Sequence, residues 1–146
     1  MHERNSGFTL FEIVIGISLM AILAAITIPV HRGFFLKNDL DNSSITVVQS
    51  LRRAQDLARG VASDFAWGTR VEPTRVIVFR GTSFASRDAS FDEIVTLPAT
   101  YSLSGVSEVV FSKAMGLPLT TGNIIITNSE GTSATININA KGTISY

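Results

Sequence analysis

The chain has 146 residues, twelve basic and twelve acidic side chains, and no cysteine. That size suits one domain with a modest core, zero formal charge argues against a broad cationic groove for nucleic acid, and the missing thiols exclude disulfide frameworks, thiolate catalysis and Cys-ligated zinc. Hydrophobic residues make up 45% and charged residues 16%, against a usual charged share of about 25%, so the placement of the apolar residues decides what the imbalance means.

They concentrate at the front. Phe8–Val30 holds 17 hydrophobic residues in 23, and Glu12 is its only charge. At ~1.5 Å per residue this is about 34 Å of helix, enough for a ~30 Å hydrocarbon layer. It is too long for the apolar core of a secretory signal, and no A-x-A cleavage site follows before Pro29, His31 and Arg32. A carboxylate within such a helix is costly unless it is paired or reaches the interface. Glu12 therefore needs a reason. Flanking charge, Arg4 before the span against Arg32 and Lys37 after it, would by itself put the rest of the chain in the cytoplasm.

Helical periodicity continues past Val30. Leu40, Val47, Leu51, Ala54, Ala58 and Val61 recur at spacings of three, four and seven, while Arg52, Arg53, Asp56 and Arg59 fall mostly off that stripe. The pattern predicts one helix of about 50 residues, apolar all round in its first half and one-sided in its second. It should end near Gly60, with Pro29 and Gly33 weakening or kinking its middle.

Strand signals dominate after Gly68. Expected strands are Val76–Phe79, Ser83–Ser86, Ile94–Leu97, Thr100–Leu103, Glu108–Phe111, Ile124–Ile126, Thr135–Asn139 and Thr143–Tyr146. Ile124–Ile126 reads as buried on both faces, and Ile144 and Tyr146 as sharing one face. Turns are expected at Asn128–Gly131 and at Lys141-Gly142, and Pro98 and Pro118 should mark loops or edges.

Catalytic chemistry is hard to find. His2 and His31 have no metal-ligand spacing. Asp92 and Glu93, adjacent on a strand, point to opposite faces and cannot share a proton. Asp88 and Asp92 could meet in a loop and hold Ca²⁺, with a solvated loop the simpler account. Nucleophile elbow, P-loop and dinucleotide fingerprint are all missing, and Asn42-Ser43-Ser44 is a glycosylation sequon inside a helix. The expectation is a non-enzyme with no cofactor and no metal. For nucleic acid, the best cations are Arg70, Arg75, Arg80 and Arg87 beside Trp67, diluted by Glu72 and Asp88; Lys113 and Lys141 alone would give weak, salt-labile contact.

Ser6-Gly7-Phe8-Thr9-Leu10-Phe11-Glu12 resembles the processing site of type IV prepilins and type II secretion pseudopilins. The resemblance implies cleavage after Gly7 by a membrane prepilin peptidase, N-methylation of Phe8 by the same enzyme, and a helix-kinking role for Pro29. It also implies that Glu12 of one subunit meets the free amine of a neighbour, which removes two unpaired buried charges together and so sets filament register. Gly16, Ser18, Ala21, Ala24 and Ala25 would allow close helix approach. Farther on, Val110–Pro118, Gly122–Ile126, Ile136–Asn139 and Gly142–Ile144 are similar to the ending of GspH/FimT-type minor pseudopilins.

Together these imply an α+β, type IV pilin-like fold, with a long N-terminal helix packed on a C-terminal antiparallel β-sheet domain. The implied segments are a leader 1–7, a membrane and polymerisation helix 8–30, an amphipathic half 31–62 and a β-rich domain 63–146. The implied function is a minor pilin or pseudopilin, at the tip or in initiation, held single-pass in the bacterial inner membrane with its C-terminal domain in the periplasm and then built into a filament. Its partners would be other pilin subunits, prepilin peptidase and the inner-membrane assembly platform. A DNA-binding minor pilin for DNA uptake, using the four arginines, is the alternative.

Overall fold

The computed structural model describes residues 7–60, 64–98 and 100–146, with the side chains of 26–35 outside that set. Continuous helical periodicity gives a single helix α1, Leu10–Arg59, of 50 residues. It stops at Gly60, whose N–H reaches back to Asp56 O (3.0 Å) and Leu57 O (3.2 Å). The expected stripe is the buried one: Leu40, Val47, Leu51, Ala54 and Ala58 are all hidden, while Arg52, Arg53, Asp56 and Arg59 are exposed. Val61 lies outside the described residues, as do the side chains of Pro29 and Gly33, where the kink was expected.

The chain divides into two units between Leu36 and Lys37. In the first, every described side chain from Gly7 to Ala25 is exposed, including Phe8, Phe11 and Met20. Among the described residues no helix is long and apolar enough to cross a membrane; the expected span 8–30 runs on past Ala25 into side chains outside that set.

The second unit is α+β. Its strands are β1 Trp67–Glu72, β2 Arg75–Arg80, β3 Asp88–Thr96, β4 Ser102–Gly105, β5 Glu108–Phe111, β6 Gly122–Thr127, β7 Ser133–Ile138 and β8 Ile144–Ser145. They form two four-stranded antiparallel sheets, ordered β3-β2-β1-β5 (sheet A) and β4-β6-β7-β8 (sheet B). The helix stripe, Val71, Val76, Val78, Val109 and Phe111 of sheet A, and Ile124, Ile126, Ile136, Ile138 and Ile144 of sheet B make one core. This is an N-terminal helix packed on antiparallel sheets, a type IV pilin-like arrangement.

Several expectations need correcting. Ser83–Ser86 is a turn, not a strand: Ser86 N–H donates to Ser83 O (3.3 Å) and to Ser83 Oγ (3.2 Å), the serine chemistry that competes with a ladder. Ile124–Ile126 is not buried on both faces, because Ile125 is partly exposed while its neighbours alternate inward. β8 is only Ile144–Ser145, shorter at both ends than the expected Thr143–Tyr146, and Tyr146 is exposed. β3 begins six residues before the expected Ile94, and β4 is shifted to Ser102–Gly105.

Strand β1 was not anticipated at all. Its Gly68 and Arg70 mask a period-two pattern in which Trp67, Thr69 and Val71 are buried, and Thr69 Oγ1 donates to Ser50 O of the helix (3.2 Å). Gly68 is there for space. Its cross-strand partner is Phe79, and a Cβ on Gly68 would stand 2.5 Å from Phe79 Cζ. Phe79 is fully buried, so its ring has little room to yield. Gly68→Ala should cost about 1–3 kcal/mol, read as a lower urea midpoint at unchanged m, and Phe79→Leu in the same chain should recover part of that loss. A wild-type midpoint for the single variant would contradict this packing.

Candidate processing and assembly site

The site lies at the start of the helix. Gly7, Phe8 and Thr9 are non-helical and exposed, Phe8 by 85%, and nothing lies within 4 Å of a Cβ built on Gly7. The Gly7–Phe8 bond is therefore open to an enzyme on every side among the described residues. Thr9 is the helix N-cap. Glu12 N–H donates to Thr9 Oγ1 (3.3 Å), and Glu12 Oε2 accepts from Thr9 N–H (2.9 Å) and from Thr9 Oγ1–H (2.9 Å). This reciprocal pattern is a capping box, which satisfies orphan donors at the helix start.

The box matters in two ways. Removal of residues up to Gly7 would leave Thr9 and Glu12, and so the cap, in place. Both local bonds use Oε2, and among the described residues Oε1 of Glu12 is left to receive another donor. A negative charge is also favoured beside the positive end of the helix dipole. Thr9-x-x-Glu12 is legible as a capping box in sequence, a role for Thr9 that the charge of Glu12 alone does not disclose.

Arg70, Arg75, Arg80 and Arg87 are not gathered on one cationic face. Arg70 pairs with Glu108 (3.4 Å), Arg75 with Glu72 (2.6 Å), Arg80 with Asp88, and Arg87 with Asp92 (2.8 Å). Arg70 and Arg87 both stack on Phe84, centroid distances 5.6 and 3.8 Å. Arg80 sits across from Trp67 in the ladder, so it is on the opposite face of the sheet from Arg70, held against Phe65 (4.5 Å) and Phe91 (3.4 Å). Trp67 is buried, with its ring edge-on to Phe91, and offers no face for stacking a base.

The acidic residues are likewise taken up. Asp92 and Glu93 do point apart, Asp92 to Arg87 and Glu93 to Arg53 (3.0 Å). Two bonds from Ser90, hydroxyl first, hold the Asp88 carboxyl below its ordinary range, with a smaller contribution from Arg80; this favours the ionised form that pairs with Arg80. Glu93 in turn raises the Arg53 guanidinium. Among the described residues no group of three or more His, Cys, Asp or Glu side chains could hold a metal ion. His2 and the side chain of His31 lie outside the described residues. Ser44 of the sequon is buried and bonded to Leu40 O (2.8 Å).

One buried polar residue was overlooked. Gln55 falls within the apolar stripe, is 6% exposed, and its Nε2 donates to Gly116 O (2.9 Å) and Gly142 O (3.0 Å). A single amide thus fastens the loop after β5 and the turn before β8 to the helix. Gly142, at φ 78°, leaves no room for a side chain, because its Cβ would stand 2.4 Å from that nitrogen.

The helix packed on antiparallel sheets is a type IV pilin-like arrangement, and the capped helix start at Thr9–Glu12 is consistent with that class of protein. Residues 3–28 match the family described as the prokaryotic N-terminal methylation motif. The matched segment contains Gly7, Phe8, Thr9 and Glu12, so the chain carries a prepilin-type methylation motif, as a type IV pilin-like protein does. No solved structure matches the chain.

Proposed function

We propose that the chain is a minor pilin or pseudopilin, a non-catalytic structural subunit of a type IV pilus or a type II secretion pseudopilus, acting at the tip or in initiation. The observation that carries the reading is the exposed Gly7–Phe8 bond set directly before the Thr9–Glu12 cap, inside the methylation motif. In this reading residues 1–7 are a leader, 8–30 anchor the chain single-pass in the inner membrane, and 31–62 complete the helix beneath the domain 63–146. Prepilin peptidase removes the leader and methylates Phe8. The subunit then leaves the membrane through the assembly platform to join other pilins, with Pro29 bending the helix and Glu12 setting register. The tip or initiation role is supported by the likeness of the C-terminal region to GspH/FimT-type subunits.

The alternative, a DNA-binding minor pilin, has less support. Each of its four arginines already has a carboxylate partner, and phosphate contacts would have to compete with those pairs.

Processing is the direct test. Expressed with prepilin peptidase, the chain should yield a mature form starting at N-methylated Phe8 by intact-mass and N-terminal fragment analysis. Gly7→Val should leave it uncut. A chain that still starts at Met1 in cells containing the peptidase would sink the proposal.

A further inference from the structure

An unpaired sheet edge offers a row of N–H and C=O groups to any extended segment, so proteins guard their edges. Three of the four edges here are short or covered. β8 has two residues and β4 has four. Along β5, Leu119 N–H donates to Val110 O (2.8 Å) and Ser112 N–H to Leu117 O (2.8 Å), and Pro118, bridged to Phe111, has no donor to present outward.

β3 is different. It has nine residues and, among the described residues, pairs only with β2. Leu97 N–H donates to Thr74 O (2.9 Å), and hydrogen-bonded pairs alternate along an antiparallel ladder. With Thr96 opposite Arg75, Val95 opposite Val76 and Ile94 opposite Ile77, the N–H and C=O groups of Ile94 and Thr96 point away from β2. The charges that would defend this edge are neutralised within the chain: Asp88 by Arg80, Asp92 by Arg87, Glu93 by Arg53. Beyond Glu93 the edge is Ile94-Val95-Thr96, with Ile94 56% and Val95 41% exposed.

A groove of about 250 Å³ lies beside that edge, walled by Thr46, Gln49 and Arg53 of the helix and by Val78, Glu93 and Val95 of the sheet. A strand laid along β3 would turn every second side chain toward the groove. The repeating row of backbone groups matches another backbone, the valines match apolar side chains, and the paired charges leave nothing to attract a charged segment. We propose that β3 and this groove are a docking site for an extended, uncharged peptide segment of a partner polypeptide, added as a further strand of sheet A with alternate apolar side chains against Val78 and Val95.

The test uses the full chain in detergent micelles, panned against a library of random dodecapeptides, followed by synthesis of the best binder. Selected peptides should share alternating apolar residues and no net charge. At saturation the synthetic peptide should slow hydrogen exchange at the Ile94 and Thr96 amides about tenfold or more. Ile94→Pro removes an outward N–H and no bond to β2, and Gln49→Trp fills the groove from the helix side. Each should weaken binding about tenfold or more, with the circular dichroism spectrum unchanged for Gln49→Trp. Failure of every selected peptide to protect those amides, or binding that survives both variants, would overturn the proposal. So would self-association of the chain that Gln49→Trp abolishes, since the occupant would then be a second copy.

Discussion

Glu12→Ala should leave leader removal intact and cut incorporation into filaments about a hundredfold or more. The Gly7–Phe8 bond is exposed and lies outside the capping box, so the access of the proposed peptidase to it is unchanged. Two things are lost with the carboxylate. The first is the cap itself, since Thr9 N–H and Thr9 Oγ1–H both donate to Glu12 Oε2, worth about 0.5–2 kcal/mol at a helix start. The second, in the proposed function, is the counter-charge for the amine that leader removal would create at Phe8. Leaving one member of a buried ion pair alone costs about 3–5 kcal/mol, which is the source of the hundredfold estimate. Glu12→Gln separates the two, because an amide oxygen still accepts from Thr9 while carrying no charge. If charge pairing drives assembly, Gln should fail nearly as badly as Ala in filaments sheared from cells. Wild-type incorporation of Glu12→Ala would refute the register role.

Gln55→Leu should destabilise the C-terminal unit by about 2–4 kcal/mol. The leucine fills similar space in the stripe between Leu51 and Ala58, so little packing is lost. The carbonyls of Gly116 and Gly142, however, lose their shared donor, and an orphaned buried acceptor costs about 1–3 kcal/mol. Denaturation of the full chain in detergent, with the domain followed through its single tryptophan, gives the comparison. Hydrogen exchange should speed up most around Gly116 and Gly142, at both loops together. An effect limited to one loop would mean that the amide does not join them.

These residues show why some of the molecule was legible in its sequence and some was not. The site at Gly7–Glu12 and the stripe Leu40–Ala58 are local: a motif six residues long and a spacing of three and four need no distant partner to be seen. Gln55 was hidden for the opposite reason. Its acceptors lie 61 and 87 residues away, and a glutamine in an apolar stripe looks like a tolerated exception until both carbonyls are placed. β1 was hidden because its glycine is explained only by Phe79 across the ladder.

The charges make the same division. Sequence alone determined that twelve positive and twelve negative side chains cancel, that the first 30 residues hold few of them, and that Glu12 stands three residues after a capping Thr9. Tertiary structure alone decided that, among the described residues, six of the basic and six of the acidic side chains meet in pairs. Arg70 meets Glu108 38 residues on, and Arg53 meets Glu93 40 residues on. It also left the long edge of β3 neutral and open beside the helix. Coulomb attraction and ladder pairing act through space, so strand order and register, which no local pattern encodes, choose the partners.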